Sequence, residues 1–280
     1  MSKGSIMVTG RLPNAGPLQA GSVSLPAGVH VLSGGGRGQP VAWATTEPVP
    51  DAGRVWEALS EMHAQSGLVP VLLSGIEGDP RRPWDTQEFR DPDDLAELEQ
   101  LDATEVLRDD WRSRTTEYDD YDEEDEEYQD DDYARSIAEE VAPFSRRQFP
   151  GLAQAEDHQL SDEEFDRVLS GLGPARVGLV PADRPADALP MLGWNEALVT
   201  AVGFAAVLRS WEDRFGARLL RVGFAEFSVL ARRPPRTFES AQRLAAEHWA
   251  FCDAFGGTVH DIPGITASLT SSPIWTFWWD

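Results

Sequence analysis

Cysteine and lysine are nearly absent from this chain, and long apolar runs are missing. Cys252 is the single cysteine, so no internal disulfide can form, which favours a reducing compartment. The longest apolar stretch, residues 197–208, is about 12 residues, whereas a membrane-spanning helix needs ~20. No apolar signal segment follows the first residues. We therefore expect a cytoplasmic protein that binds no membrane.

Positive charge is also scarce. The 280 residues include 24 basic and 48 acidic side chains, which gives a net charge of −24. A phosphate backbone would be repelled by such a chain, so we expect no nucleic-acid partner. At 41% hydrophobic composition, the chain can still bury a sizeable core.

The negative charge is concentrated in the middle of the chain. The net charge is −1 over residues 1–90, −22 over 91–170 and −1 over 171–280. This shift predicts three regions. We expect an N-terminal α/β part at 1–90 that packs on the core, an acidic, partly disordered or helical insertion at 91–170, and a C-terminal domain at 171–280.

The strongest charge cluster is residues 117–132, hereafter the acidic run, in which 12 of 16 residues are carboxylates. All four tyrosines lie in it or directly after it. One interpretation is a solvated, flexible insertion. Another is a docking segment for a basic protein surface. A third interpretation, calcium binding, has less support, because the glycine-containing loop of such sites is absent. The predicted partner-binding residues are Glu117, Tyr118, Tyr121, Glu123, Glu124, Glu127, Tyr128 and Tyr133.

The N-terminal part alternates strand-like and helix-like patterns. Strands are predicted at residues 5–9, 28–32, 40–44 and 68–73, and a helix at about 51–65 that ends before Gly67. The glycine-rich stretch 33–38 lacks the lysine that completes a phosphate-binding P-loop, so a turn is favoured there.

The C-terminal part has the order β-α-β-β-α-β. Strands are predicted at 175–180, 217–222, 227–232 and 274–279, with helices capped by Asn195 and Thr237. This order is typical of a ferredoxin-like sandwich but also fits a larger sheet. The predicted fold class is α+β, with a mixed or antiparallel sheet and helices.

Several strings in this part are similar to a known family. They are residues 181–190 (PADRPADALP), 207–218 (VLRSWEDRFGAR), 231–237 (ARRPPRT), 246–252 (AEHWAFC) and 277–280 (FWWD). Over roughly 175–280 they resemble the bacterial domain-of-unknown-function family 4253, common in actinobacteria. Its members commonly carry Pro-Asp after the Phe-Cys pair, where this chain has Asp253 and Ala254. The resemblance implies a bacterial cytosolic protein and brings no activity.

Two residue groups in these strings could carry chemistry. His248 and Cys252 are four residues apart and would share a helix face, as a thiol nucleophile and its base would. They could instead be two ligands of a metal site with His260 and Asp261, or simple core residues, and the core interpretation is favoured. Glu212 and Asp213 point about 100° apart on a helix, which favours a surface ion network over acid/base catalysis.

No complete catalytic or cofactor motif is found in the sequence. The leading hypothesis is a non-enzymatic bacterial interaction module whose acidic segment binds a basic protein partner, in the manner of an immunity protein or antitoxin. The alternative is a small cysteine-dependent hydrolase or transferase that uses Cys252 and His248. We expect no cofactor and no metal.

Overall fold

The structure, a computed structural model, describes residues 10–34, 38–76, 78–116, 129–194, 201–252, 254–255 and 260–279. Nine strands lie within these residues: β1 (Gly16–Ala20), β2 (Val23–Leu32), β3 (Pro40–Thr45), β4 (Leu68–Leu73), β5 (Val177–Pro181), β6 (Ala217–Val222), β7 (Glu226–Ala231), β8 (Ala254–Phe255) and β9 (Ile274–Trp278).

The α-helices of the described residues are α1 (Ala52–Glu61), α2 (His63–Ser66), α3 (Ala103–Thr116), α4 (Gln129–Glu140), α5 (Asp162–Ser170), α6 (Ala188–Leu192), α7 (Ala201–Phe215), α8 (Phe238–Phe251) and α9 (Ile262–Ser271). Two short 3-10 helices occupy Leu95–Gln100 and Pro185–Asp187. None of these helices is both long and apolar enough to cross a lipid bilayer.

All nine strands form one mixed sheet in the order β1-β2-β3-β5-β4-β6-β7-β9-β8. Every neighbouring pair is antiparallel except β4 and β6, which are parallel. This confirms the predicted α+β class with a mixed sheet.

The ferredoxin-like order that the C-terminal pattern suggested is not formed. Strand β5 lies between β3 and β4, and β4 separates it from β6. The reason lies in β4, whose first five residues are all buried. An apolar strand of this kind needs a neighbour on both edges and cover on both faces. The C-terminal strands provide part of that environment, so they join a larger sheet.

Alternate residues of the strands face two separate cores, one on each side of the sheet. Val229 lies in the first core and Leu230 in the second, as the two-residue period of a strand requires. Helices α3, α4, α7, α8 and α9 contribute to the first core, and α1 and α5 to the second. The molecule therefore has three layers, with the sheet in the middle.

The predicted elements differ from the observed ones at several places. The helix predicted at 51–65 is divided into α1 and α2 at Met62, and Gly67, with a φ of 64°, ends α2. Helix α9 was not predicted, because Pro263 and Gly264 in its first turn are residues that usually indicate a turn. It lies between α8 and β9, so the predicted C-terminal order lacks it. The strand predicted at 5–9 and the cap Asn195 lie outside the described residues.

The acidic middle region supplies side chains to both cores. Leu107, Trp111 and Val141 are buried in the first core. Phe165 and Leu169 of α5 are buried in the second. Helices on both sides of the acidic run are therefore parts of the layered fold.

Candidate functional site

Helix α8 passes through the centre of the first core, and it carries the predicted catalytic pair. All eight residues from Leu244 to Phe251 are buried. The ring of His248 lies between three aromatic rings, with centroid distances of 4.7 Å to Trp211, 5.0 Å to Trp275 and 4.9 Å to Phe277. No part of His248 is exposed.

The surroundings of His248 keep its imidazole neutral. Burial lowers the pKa of His248 well below its usual range, and the nearby positive charge of Arg214 lowers this pKa further. The charged form would lose its hydration on burial, which favours the neutral form.

The helix that we expected to carry both residues does not extend to Cys252, which is the C-cap residue that follows α8. The helix ends at Phe251, and Cys252 has the extended backbone angles φ −144° and ψ 137°. Its thiol donates to the carbonyl oxygen of Trp278 at 3.2 Å, and only 2% of the residue is exposed. Catalysis by Cys252 with His248 stays a prediction, and a substrate would need a path into the core.

The structure gives no support to the metal alternative in the part of the chain it describes. No group of three or more histidine, cysteine or acidic side chains there could hold a metal ion. Asp261, which we had considered as a ligand, instead caps α9 by accepting the Gly264 N–H at 2.8 Å.

One buried polar group with several hydrogen-bond partners was missed by the sequence analysis. Glu247 is completely buried, and Arg214 donates to both of its carboxylate oxygens at 2.8 and 2.6 Å. The indole N–H of Trp211 donates to Glu247 Oε2 at 2.8 Å. The sequence signal for this group was a glutamate within the largely apolar string 244–251, because a buried charge requires an ion-pair or hydrogen-bond partner.

The same ion pair holds a segment that has no regular secondary structure. Glu247 Oε1 accepts the N–H of Ala153 at 2.6 Å, and Arg214 Nη1 donates to the Ala153 carbonyl at 2.9 Å. We call residues 150–156 the strap. It lies between α4 and α5 in the chain and contacts α8.

Further contacts fix both ends of the strap to α8. Arg243 Nη1 donates to the carbonyl oxygen of Pro150 at 3.2 Å. At the other end, Glu156 Oε1 accepts the N–H groups of Arg236 and Thr237 at 3.2 and 3.1 Å, and the Thr237 hydroxyl at 2.9 Å. Burial raises the pKa of Glu156, but the hydrogen bonds from Thr237 and Arg236 outweigh it and leave this pKa below its usual value.

The charged residues of α7 form ion pairs and hydrogen bonds with residues 184–187. Arg209 makes two bonds, of 2.7 and 2.8 Å, to the buried Asp187. Asp213 accepts from Arg184 at 2.7 Å, and Glu212 accepts the N–H of Ala186 at 3.2 Å. The family-like strings 181–190 and 207–218 therefore contact each other directly.

The predicted partner-binding residues lie in the acidic run, largely outside the described residues. Glu117, Tyr118, Tyr121, Glu123, Glu124, Glu127 and Tyr128 lie outside them, and Tyr133 belongs to α4.

The helix that precedes the acidic run is fixed close to its end. The Arg114 guanidinium lies 4.1 Å from the ring centroid of Trp249 and donates to the Cys252 carbonyl at 3.0 Å. Arg146 donates to the Thr115 carbonyl at 3.3 Å. The C-terminal end of α3 is therefore held beside α8.

A surface cleft of about 210 Å³ lies at the start of α1, on the other side of the sheet. It is lined by Pro50, Asp51, Ala52, Arg54, Leu169, Ser170 and Gly173. Arg54 in this cleft is bonded to Asp166 at 2.8 Å. Arg54 also donates to the hydroxyl oxygen of Ser170, another lining residue, at 3.4 Å.

Comparison with known proteins identifies only the C-terminal part. No curated protein and no solved structure matches the chain. Residues 176–280, from the start of β5 to the C-terminus and including Arg214, Glu247, His248 and Cys252, match the family described as Domain of unknown function (DUF4253), which confirms the resemblance seen in the sequence.

Proposed function

We propose that this protein is a non-enzymatic interaction module whose acidic run binds a basic surface on a partner protein. The observation that carries the proposal is the density of charge: 12 of the chain's 48 acidic residues lie within 16 consecutive positions. A C-terminal match to a family of unknown function names no activity that would compete with this proposal.

Electrostatic attraction at such a segment acts mainly on recognition and on the rate of encounter. Closely spaced like charges create a local potential that steers a basic partner, and salt weakens this effect. The tyrosines interleaved with the carboxylates add contact area of the kind that interfaces favour. The same potential repels nucleic acid, which supports a protein partner.

The fold supports presentation of the acidic run to a partner. Helix α3 before it is fixed by Trp111, which is buried and donates to the Arg146 carbonyl at 3.0 Å. Helix α4, which begins within the last residues of the run, buries Ile137, and Val141 follows in the same core. A docking segment held at both ends loses less conformational freedom on binding than a free tail would.

A bacterial, cytoplasmic setting and an immunity-like or antitoxin-like role are the finer parts of this proposal. The family resemblance supports a bacterial origin, and the single cysteine supports a reducing compartment. A neutralising protein of this kind covers a basic surface of its target with its own acidic surface.

The cysteine-dependent alternative has weaker support. A reactive cysteine is typically accessible and lies in an electropositive environment. Cys252 is buried and donates to a main-chain carbonyl, and His248 is enclosed by aromatic rings.

The proposal is tested by neutralising the acidic run at constant size. One variant changes Glu123, Glu124, Asp125, Glu126 and Glu127 to the corresponding amides. A matched control changes five exposed carboxylates elsewhere to amides, namely Glu47, Glu105, Asp109, Glu163 and Glu239. Each protein is used in pull-downs from a lysate of the native host at low salt and at high salt.

We expect the wild-type protein and the control variant to capture the same basic partner at low salt, and the neutralised variant to lose it. With the purified partner, the salt dependence of Kd should become shallower only for the neutralised variant. Recovery of identical partners by all three proteins would overturn the proposal.

A further inference from the structure

The strap, which has no regular secondary structure, is held by α7 and α8 through hydrogen bonds to its main chain and to Glu156, in the way that a peptide-binding protein holds a peptide. We propose that the surface formed by α8 and the C-terminal end of α7 is a binding site for an extended peptide, which the strap occupies as an intramolecular ligand and which a partner's segment takes by displacing the strap. This inference goes beyond the role of the acidic run and does not depend on it.

The centre of the site recognises backbone. Glu247 accepts the N–H of Ala153 while Arg214 donates to the carbonyl oxygen of the same residue. Two side chains thereby bond to both main-chain polar groups of one residue, as a neighbouring strand would. Ala153 is completely buried, so a small side chain is required at this position.

The second recognition point selects an acidic side chain. Glu156 bonds to the N–H groups of Arg236 and Thr237 and to the Thr237 hydroxyl, at the N-terminus of the fourteen-residue helix α8. Main-chain N–H groups and the helix dipole both favour a carboxylate here. Together the two points specify an extended segment with a small residue followed three positions later by an acidic one.

Two further hydrogen bonds of the strap also use its main chain. Arg243 donates to the carbonyl of Pro150, and the Ser240 hydroxyl donates to that of Gln154 at 3.4 Å. Main-chain bonds of this kind are available to any extended peptide. A different segment with the same small and acidic positions can therefore replace the strap without loss of these bonds.

The site and its occupant come from different parts of the chain. Arg214, Arg236, Thr237, Arg243 and Glu247 all lie within residues 176–280, which match the DUF4253 family. The strap precedes that region. The family region thus builds the site, and a segment outside it supplies the occupant.

The buried ion pair requires that the site be filled. Without Ala153, one oxygen of the buried Glu247 and one N–H of Arg214 would lose a partner, and such groups are costly when left unsatisfied. Exchange of one peptide for another is consequently favoured over an empty site. The strap competes at a high effective concentration because it is covalently linked, so the partner binds weakly until the strap is released.

The first test uses the wild-type protein and hydrogen exchange. The added probe is a synthetic peptide of residues 147–158, and the control peptide has the same sequence with the Ala153→Arg and Glu156→Gln changes. We expect strap amides to exchange at least about tenfold faster than amides in the middle of α8, because the strap opens without global unfolding. Millimolar probe should speed strap exchange further, and the control peptide should not.

The second test frees the site in the full chain. Ala153→Arg places a large charged side chain at a fully buried position and expels the strap while every site residue remains. A fluorescein-labelled probe should bind this variant at least about tenfold more tightly than it binds the wild type, because the intramolecular competitor is gone. Adding Glu247→Gln should abolish that gain.

Circular dichroism and a cooperative melt establish that the variants are folded. If the folded Ala153→Arg variant binds both peptides equally or binds neither, the proposal is overturned. Should the variant not fold, the wild-type exchange experiment decides. Strap amides that exchange as slowly as those of α8, with no response to the probe, would make the strap a structural segment only and overturn the proposal.

Discussion

Glu247 and His248 are sequence neighbours that are buried in the same core in opposite ways, one as a hydrogen-bonded charged group and the other as a neutral ring. Glu247 is surrounded by the donors of Arg214, Trp211 and Ala153. His248 is enclosed by aromatic rings, and burial lowers its pKa well below the usual range. The apolar face of the predicted helix indicated that His248 would be buried here, but not that Glu247 would be. Which donors reach them depends on α7 and on the strap, which are distant in sequence.

The lowered pKa of His248 predicts a specific pH dependence of folding. Below pH ~6.5 the unfolded chain binds a proton at this residue that the folded chain does not. The contribution of the neutral His248 to stability is therefore complete above that pH. Below it, the free energy of unfolding falls by up to ~1.4 kcal/mol per pH unit. In urea unfolding between pH 7.5 and 5.5, His248→Phe should flatten the dependence of the free energy of unfolding on pH.

The matched control for this measurement is His158→Phe, which replaces an exposed histidine. It should leave the wild-type dependence unchanged. Parallel curves for wild type and His248→Phe would contradict the prediction.

Helix α3 shows how a charged element can still be part of a core. Leu107, Trp111 and Thr115 are buried and recur every four residues, while Arg108 and Arg112 are exposed. This spacing forms a narrow apolar stripe on a helix. The sequence analysis divided the chain by net charge, so it missed this stripe and treated residues 91–170 only as an insertion. The local period of Leu107 and Trp111 was the sign that could have placed α3 against α7 and α8.

Truncation of Trp111 tests whether α3 belongs to the cooperative fold. Trp111 is buried, its ring centroid lies 4.9 Å from that of Trp249, and its indole donates to Arg146. Trp111→Ala should therefore lower the free energy of unfolding by about 3–5 kcal/mol, as large truncations in cores do. Urea unfolding followed by circular dichroism measures the change.

The exposed Arg108 on the same helix provides the control. Arg108→Ala should stay within about 0.5 kcal/mol of the wild type. A Trp111→Ala variant that unfolds like the wild type would show that α3 docks only loosely on the other helices.

At the scale of the whole molecule, one sheet joins the two nearly neutral ends of the chain. Strand β4 pairs with β5 and with β6, and β3 pairs with β5. Residues 117–128 of the acidic run join α3 to α4 in the chain, and both helices bury residues in the core on one face of this sheet. The contribution of residues 117–128 to folding is therefore separable from that of the pairing strands.

Removal of residues 117–128 should leave folding nearly intact. Closing a loop depends only logarithmically on its length, at roughly 0.6 kcal/mol per doubling, so joining α3 to α4 by a short Gly/Ser linker costs little. We expect Tm to stay within a few degrees at moderate salt and to rise at low salt, because the deletion removes mutual repulsion among carboxylates.

The control for the deletion is a Gly/Ser segment of the original length in place of residues 117–128. It separates the effect of loop length from that of composition, since it keeps the wild-type length but removes the carboxylates and the tyrosines. Cooperative loss of folding in both variants would show that the tyrosines of the run are packed into the core.

The sequence by itself determined the local elements and the distribution of charge. The apolar run of β4, the Thr237 cap of α8 and the concentration of carboxylates at 117–132 all follow from neighbouring residues, and so does the α+β class. Only the tertiary structure decided that β4 lies between β5 and β6, and that Glu247 and Arg214 enclose Ala153. These contacts join residues 60 to 150 positions apart, and their partners are chosen by competition for burial and for hydrogen bonds across the whole chain.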